Sequence, residues 1–305
     1  MGWKLLWKPI KFEDILLNIL FYVLGVAVAR YLGGSIDWTV ALIGQLSLLG
    51  LHLGMVFLHT HFTMDKDFLN QLQEFFKLNQ AKRVGDQLII DRPRYLFALI
   101  SLPFFSLSFL SLFLLIQQGV LTYPLLLILL MIVALWGFMV IPPVQLLETP
   151  YRDLASGVLW VIFYPAFGMM LLENTLSDVL FFFTLPLFMV FLAMRIARQF
   201  ETYDDDTRYE QKNLLVQIGW ENGMRIHNFL LLTAFLVLVL VPFLFSLSWA
   251  LVWPALIALP FAFAQLIQMI QIARGGKPKW RLLRFNAKAT LFLLIYLIIF
   301  SLLIY

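Results

Sequence analysis

Along its 305 residues the chain alternates long apolar runs with short polar interruptions. A helix needs roughly twenty apolar residues to cross a bilayer core. Runs of that kind fall at Ile15–Leu32, Trp38–Leu58, Tyr95–Ile116, Leu125–Ile141, Ala155–Leu172, Val179–Ile196, Phe229–Phe245, Trp249–Ile272 and Ala289–Ile304. Only Ser246-Leu247-Ser248 divides the seventh run from the eighth. The two-residue alternation of an outer-membrane barrel is absent, and lipid leaves the backbone no open structure other than helix. The pattern predicts an all-α integral membrane fold with nine transmembrane helices, residues 1–305 forming a single transmembrane domain.

The polar interruptions are unequal. Gly33 to Asp37, Gln117 to Pro124 and Glu173 to Asp178 are short and carry little charge, whereas connections on the other side run long, short, long, short. A four-helix pseudo-repeat (spans one to four, then five to eight) plus one appended helix gives that rhythm. Charge agrees with the count. Of 22 Lys and Arg, only Arg30 falls on the short-loop side. By the positive-inside rule the N-terminus is cytoplasmic and Tyr305 lies outside a multi-pass cell-membrane protein. Met1 to Phe12 mixes Trp3 and Trp7 with Lys4, Lys8 and Lys11, as a stretch lying at the membrane interface would.

Composition narrows the picture further. Hydrophobic residues make up 62% and charged residues 13%, too little charge to cover a water-facing surface. The net charge of +4 is accounted for by basic loops, so it carries no expectation of nucleic acid. Cysteine is absent, which removes thiolate metal sites and cysteine nucleophiles. Charge avoids the span centres, against a transporter, and His52 is the main exception.

The chemistry gathers at the two long basic-side connections. After span two comes His59-Thr60-His61-Phe62-Thr63-Met64-Asp65-Lys66-Asp67, and after span six Arg198-Gln199-Phe200-Glu201-Thr202-Tyr203-Asp204-Asp205-Asp206. Both stretches hold equivalent places in the repeat. Carboxylates suit Mg²⁺, which shares its remaining positions with phosphate and water. Lys66, Arg83, Arg198, Arg208 and Lys212 lie alongside to grip phosphate oxygens. An apolar bundle beneath could shelter a hydrocarbon tail, and an isoprenoid diphosphate has both halves. His59 and His61 are two apart and so on different helix faces, which argues for separate structural or interfacial roles. Gln265, Gln268 and Gln271 form a polar stripe suited to interhelical hydrogen bonds.

These residues resemble the UbiA-type superfamily of intramembrane prenyltransferases, its menaquinone branch in particular. That family has nine helices, with N-D-x-x-D-x-x-x-D after the second and D-x-x-x-D after the sixth. Gln211-Lys212-Asn213-Leu214-Leu215-Val216-Gln217-Ile218-Gly219-Trp220-Glu221 is similar to its G-K-x-T-L-x-V-x-L-G-x-E. Val140-Ile141-Pro142-Pro143 with Tyr151-Arg152, and Ile89-Ile90-Asp91-Arg92-Pro93-Arg94, resemble the stretches before helices five and three. The motifs are altered. His59, Thr60 and Thr63 replace Asn, Asp and Asp in the first, leaving Asp67. Thr202 replaces the leading Asp of the second, leaving Asp206, and Arg198 stands where Lys is common.

The resemblance implies a Mg²⁺-dependent prenyltransferase that joins an isoprenoid group from a diphosphate donor to a hydrophobic acceptor, a quinone precursor or a lipid. It implies metal binding by Asp67 and Asp206, with Asp65, Asp204 and Asp205 as extra carboxylates. Arg198, Lys212, Arg83 and Lys66 would hold the diphosphate. The altered motifs also allow an inactive lipid-binding protein or a cyclase-like one.

Overall fold

The computed structural model describes residues 7–64, 92–245 and 247–305. Among them, helices long and apolar enough to cross a membrane are α1 (Phe12–Tyr31), α2 (Trp38–Thr63), α3 (Arg94–Gln117), α4 (Tyr123–Val140), α5 (Arg152–Glu173), α6 (Asp178–Gln199), α7 (Trp220–Phe245), α8 (Trp249–Ala273) and α9 (Trp280–Ile304). No strand occurs among the described residues. The nine spans expected from the apolar runs are all present.

On the short-loop side α2, α6 and α8 start at side-chain caps, and α4 starts with a proline in its first turn. Asp37 accepts from the Thr39 and Val40 amides at 2.9 and 3.1 Å, Ser177 from Val179 at 3.3 Å and Ser248 from Ala250 at 3.2 Å. Each satisfies amides that lipid could not. On the basic side the helices outrun their apolar runs. Helix α2 continues to Thr63, α7 begins at Trp220 rather than Phe229, and α9 at Trp280 rather than Ala289. Hydropathy marks only the part in hydrocarbon. Polar turns beyond it remain helical and lift their side chains to the interface.

The most extensive helix pairs are α2 with α3, α1 with α5, and α6 with α7. The first and third of these pairs are the ones that the repeat expected from the loop lengths would make equivalent, and α1–α5 links the first four helices to the rest. Close approach at that joint needs glycine on both helices. A Cβ at Gly168 would lie 2.5 Å from the Tyr22 carbonyl oxygen, and one at Gly25 would collide with that of Pro165. Small residues of this kind bring membrane helices together where no hydrophobic force acts between them.

Helix α5 contains a π-helical stretch, Val158–Phe163, just before Pro165. Pro165 lacks the amide that would bond the Val161 carbonyl, and an extra residue per turn absorbs the mismatch. This places Trp160 on the inner wall of the bundle.

Candidate functional site

A cavity of about 520 Å³ opens on the basic side between α1, α2, α4, α5 and α6. Its mouth carries Lys11, Arg152, Arg195, Arg198 and Lys212 together with Asp14, Glu148, Asp153 and Asp206. Its lower wall is apolar and aromatic, formed by Val56, Met139, Trp136, Trp160 and His52. His52 lies seven residues below the His59 rim on α2, about 10 Å along the helix. A charged mouth over an aromatic floor is thus a consequence of where α2 and α5 leave their apolar runs.

The mouth is built on α5 and α6. Arg195 Nε donates to Asp153 Oδ1 at 2.5 Å, and Gln199 Nε2 donates to Asp153 Oδ2. Gln199 Oε1 in turn accepts from the Leu215 amide at 2.9 Å. That bond docks the short helix Leu214–Ile218 on α6, and Asn213 caps it by accepting from Val216 at 2.8 Å. Lys212 precedes the cap and lines the cavity, without an ion pair among the described residues. Arg198 is steadied from behind, its Nη1 donating to Glu13 Oε1 at 2.9 Å while Lys288 Nζ donates to Glu13 Oε2 at 2.5 Å. Partial desolvation at the mouth pushes the Lys11 ammonium below its ordinary pKa. Asp14 opposes that shift, and Arg195, Arg198 and Arg152 add to it.

Asp206 sits on the short helix Tyr203–Arg208 and lines the cavity. Its Oδ2 accepts from the Thr202 hydroxyl at 2.6 Å and the Asn213 amide at 2.7 Å. Oδ1 has no hydrogen-bond partner among the described residues. Asp204 and Asp205 are exposed on the same helix and are not among the cavity-lining residues. Asp65, Lys66, Asp67 and Arg83 lie outside the described residues. The site therefore unites Arg198, Lys212 and Asp206 from the sequence analysis and leaves Asp204 and Asp205 at its edge. Arg208 is exposed.

Other sequence candidates separate by face. His59 Nε2 meets Glu148 Oε1 at 3.1 Å on the cavity rim. His61 points away and donates from Nδ1 to the Arg94 carbonyl at 2.9 Å, tying α2 to α3. Gln265 donates to Thr290 Oγ1 at 2.6 Å, and Gln268 accepts from Asn286 at 3.3 Å, joining α8 to α9, whereas Gln271 is exposed. The sequence analysis missed Asp153, Arg195, Gln199 and Glu148. A signal existed for the first two. An acid at the start of span five and a base near the end of span six are opposite charges at one depth on neighbouring helices.

Among the described residues no group of three His, Asp or Glu side chains is placed to hold a metal. The donor set fits a Mg²⁺–diphosphate centre only in part. Asp206 offers one open oxygen, and bound Mg²⁺ ordinarily takes one or two carboxylates plus substrate oxygens.

No family model and no curated protein matches the sequence. Solved structures do match. The chain is similar to digeranylgeranylglyceryl phosphate synthase, with a TM-score of 0.65 and 12% identity over 100% of this chain and 99% of that one. It is also similar to a UbiA homologue from Aeropyrum pernix K1 in its apo form, with a TM-score of 0.57 and 11% identity over 97% and 98% of the two chains. These neighbours are UbiA-type prenyltransferases, and this chain has their fold from end to end.

Proposed function

We propose that the protein is a membrane prenyltransferase that moves an isoprenoid group from a diphosphate donor to a hydrophobic aromatic or lipid acceptor. One observation carries the reading: a mouth holding Lys11, Arg152, Arg195, Arg198 and Lys212 stands directly over a floor of Trp136, Trp160 and Met139. That order of charge and apolar surface matches a diphosphate with a hydrocarbon tail.

In this reading Lys212 and Arg198 bind the diphosphate oxygens by charge-assisted hydrogen bonds. Arg198 keeps N–H groups available while Glu13 fixes its position. The bond between the prenyl carbon and the diphosphate oxygen breaks, leaving an allylic cation and a diphosphate anion. Cationic side chains stabilise the departing charge. The Trp136 and Trp160 rings shield the allylic centre from water and attract its positive charge. The acceptor attacks that carbon and loses a proton, so acceptor–H and prenyl diphosphate become prenylated acceptor and free diphosphate.

Bound Mg²⁺ would neutralise part of the diphosphate charge. Asp206 would hold it on this chain, together with Asp65 or Asp67. Asp204 and Asp205, exposed, would act at longer range on the same charge. Lys66 and Arg83 are proposed as further diphosphate contacts. The basic face is proposed as cytoplasmic, in a cell membrane, with the C-terminus outside.

A second reading, donor binding without transfer, draws on Thr202. Where the family motif has a carboxylate, this chain presents a hydroxyl that takes up one oxygen of Asp206. The two readings part on a binding test followed by turnover. Geranylgeranyl thiodiphosphate should stabilise the purified protein against heat, and Lys212→Ala should weaken that stabilisation. A ligand bound only by the folded state must raise the melting temperature, so no shift in wild-type protein would remove both readings.

A further inference from the structure

Away from the main cavity, a groove of about 360 Å³ opens on the basic side between α7 and α8. Glu221, Arg225 and Asn228 line it from α7, Met269 and Ile270 from α8, and Arg274 from just past the end of α8. None of these residues lines the cavity described above. The groove follows from how the two helices meet. Helix α7 packs chiefly on α6 and α8 chiefly on α9, so their own contact is slight. It includes one polar link, His227 Nε2 lying 3.4 Å from Gln265 Oε1. Glu221 and Arg225 precede that link on α7, and Met269, Ile270 and Arg274 follow it along α8, so the groove lies on its basic side.

Depth sets what can enter. The apolar run of α7 begins at Phe229, about one helical turn beyond Arg225, and that of α8 ends at Ile272, two residues before Arg274. Both guanidinium groups therefore belong where hydrocarbon gives way to headgroups. Deeper along the helices the walls are apolar. Phe229 and Leu232 follow Arg225 at helical spacing, and Ile267 and Phe263 precede Ile270 likewise, so each set continues one helix face. All four side chains are exposed.

The rim carries an excess of positive charge. Arg225 meets Glu221 only loosely, Nη2 to Oε2 at 3.8 Å with both side chains exposed. Arg274, and Lys277 and Lys279 in the connection to α9, are exposed and have no ion pair among the described residues. We propose that the groove binds an anionic glycerophospholipid of the basic-side leaflet. Its phosphate is held by Arg225 and Arg274, and its acyl chains follow the apolar faces of α7 and α8. Basic pockets between membrane helices attract such headgroups. A second copy related by a twofold axis would instead set the same cations face to face. The site stands apart from prenyl transfer, since it shares no lining residue with the main cavity.

The test titrates the purified full chain, in a neutral detergent, with dioctanoyl phosphatidylglycerol, dioctanoyl phosphatidylcholine and inorganic phosphate. Native mass spectrometry counts the lipid bound. Wild-type protein should bind phosphatidylglycerol about tenfold or more tighter than phosphatidylcholine, and the double variant Arg225→Gln with Arg274→Gln should lose that preference. Both side chains are exposed, so the variant should melt with the wild type in detergent. If it does not fold, each single variant decides, with an expected loss of roughly fivefold. Millimolar phosphate should leave the lipid bound, because it lacks the acyl chains. Equal affinity for the two lipids overturns the site, and so does a preference that survives in the variants. Displacement by phosphate alone overturns the lipid as occupant. A wild-type dimer that excludes lipid and separates in the double variant overturns it in favour of a second copy.

Discussion

Arg195 and Asp153 face each other between α6 and α5, the guanidinium Nε donating to a carboxylate that is 1% exposed. The pair anchors the mouth of the cavity, because Gln199 uses the other oxygen of Asp153 and carries the segment bearing Lys212. Asp153→Ala would leave Arg195 uncompensated and free Gln199. A loss of about 3 kcal/mol is expected, the low end for breaking a buried pair because the cavity admits water. Asp153→Asn should lose less, since an amide oxygen still accepts from one partner. Denaturation of both variants in detergent checks the order, and equal stability of Asp153→Ala and wild type would refute the anchoring role.

Lys212 should matter to the donor more than to the fold. It has no ion pair among the described residues, so its removal breaks no described one. Lys212→Ala is expected to weaken prenyl thiodiphosphate binding by roughly tenfold or more, the value of a charge-assisted hydrogen bond. Its melting temperature without ligand should stay near that of wild type. Calorimetric titration and a thermal scan on one preparation measure both.

The three consecutive aspartates should not be equivalent. Asp206 lines the cavity, whereas Asp204 and Asp205 are exposed beside it. Asp206→Asn is expected to lower Mg²⁺-dependent donor binding by at least roughly tenfold. The double variant Asp204→Asn with Asp205→Asn should lower it only a few-fold, through long-range charge screened by water. Asp67→Asn should resemble Asp206→Asn. Titration of Mg²⁺ at fixed thiodiphosphate, with EDTA reversal, ranks the four proteins. Equal losses in the double variant and in Asp206→Asn would contradict the placement.

Orientation has its own test. Cysteine is absent, so single cysteines report cleanly. Ser35→Cys, Gln118→Cys and Asn174→Cys should label with an impermeant thiol reagent from outside the cell. Arg208→Cys and Lys277→Cys should label only after the membrane is opened. Labelling of both sets from one side would remove the nine-span topology.

The spans were legible because a bilayer demands one property of every helix crossing it, and runs such as Trp38–Leu58 display that property locally. Helix ends were less so. His59 to Thr63 read as a connection, yet they complete α2, since nothing in hydropathy separates a polar helical turn from a loop. Arg198, Lys212 and Asp206, which line the cavity, could be named from their order along the chain. Gln199 could not, because its meaning lies in Asp153 and Leu215, residues distant in sequence that only packing brings to it. Thr202 read as a lost carboxylate. In the folded chain it is also a donor to Asp206, a role visible only with both side chains in place.

The central claim is transfer, and product formation tests it most directly. Purified protein in nanodiscs with Mg²⁺ is given a panel of prenyl diphosphates of different length, with and without aromatic and lipid acceptors, and released diphosphate is counted against prenylated acceptor. The account predicts release that needs an acceptor, matches the prenylated product one for one, and falls by roughly tenfold or more in Lys212→Ala. Absence of release from every pairing, in protein that still binds thiodiphosphate and melts cooperatively, would contradict it.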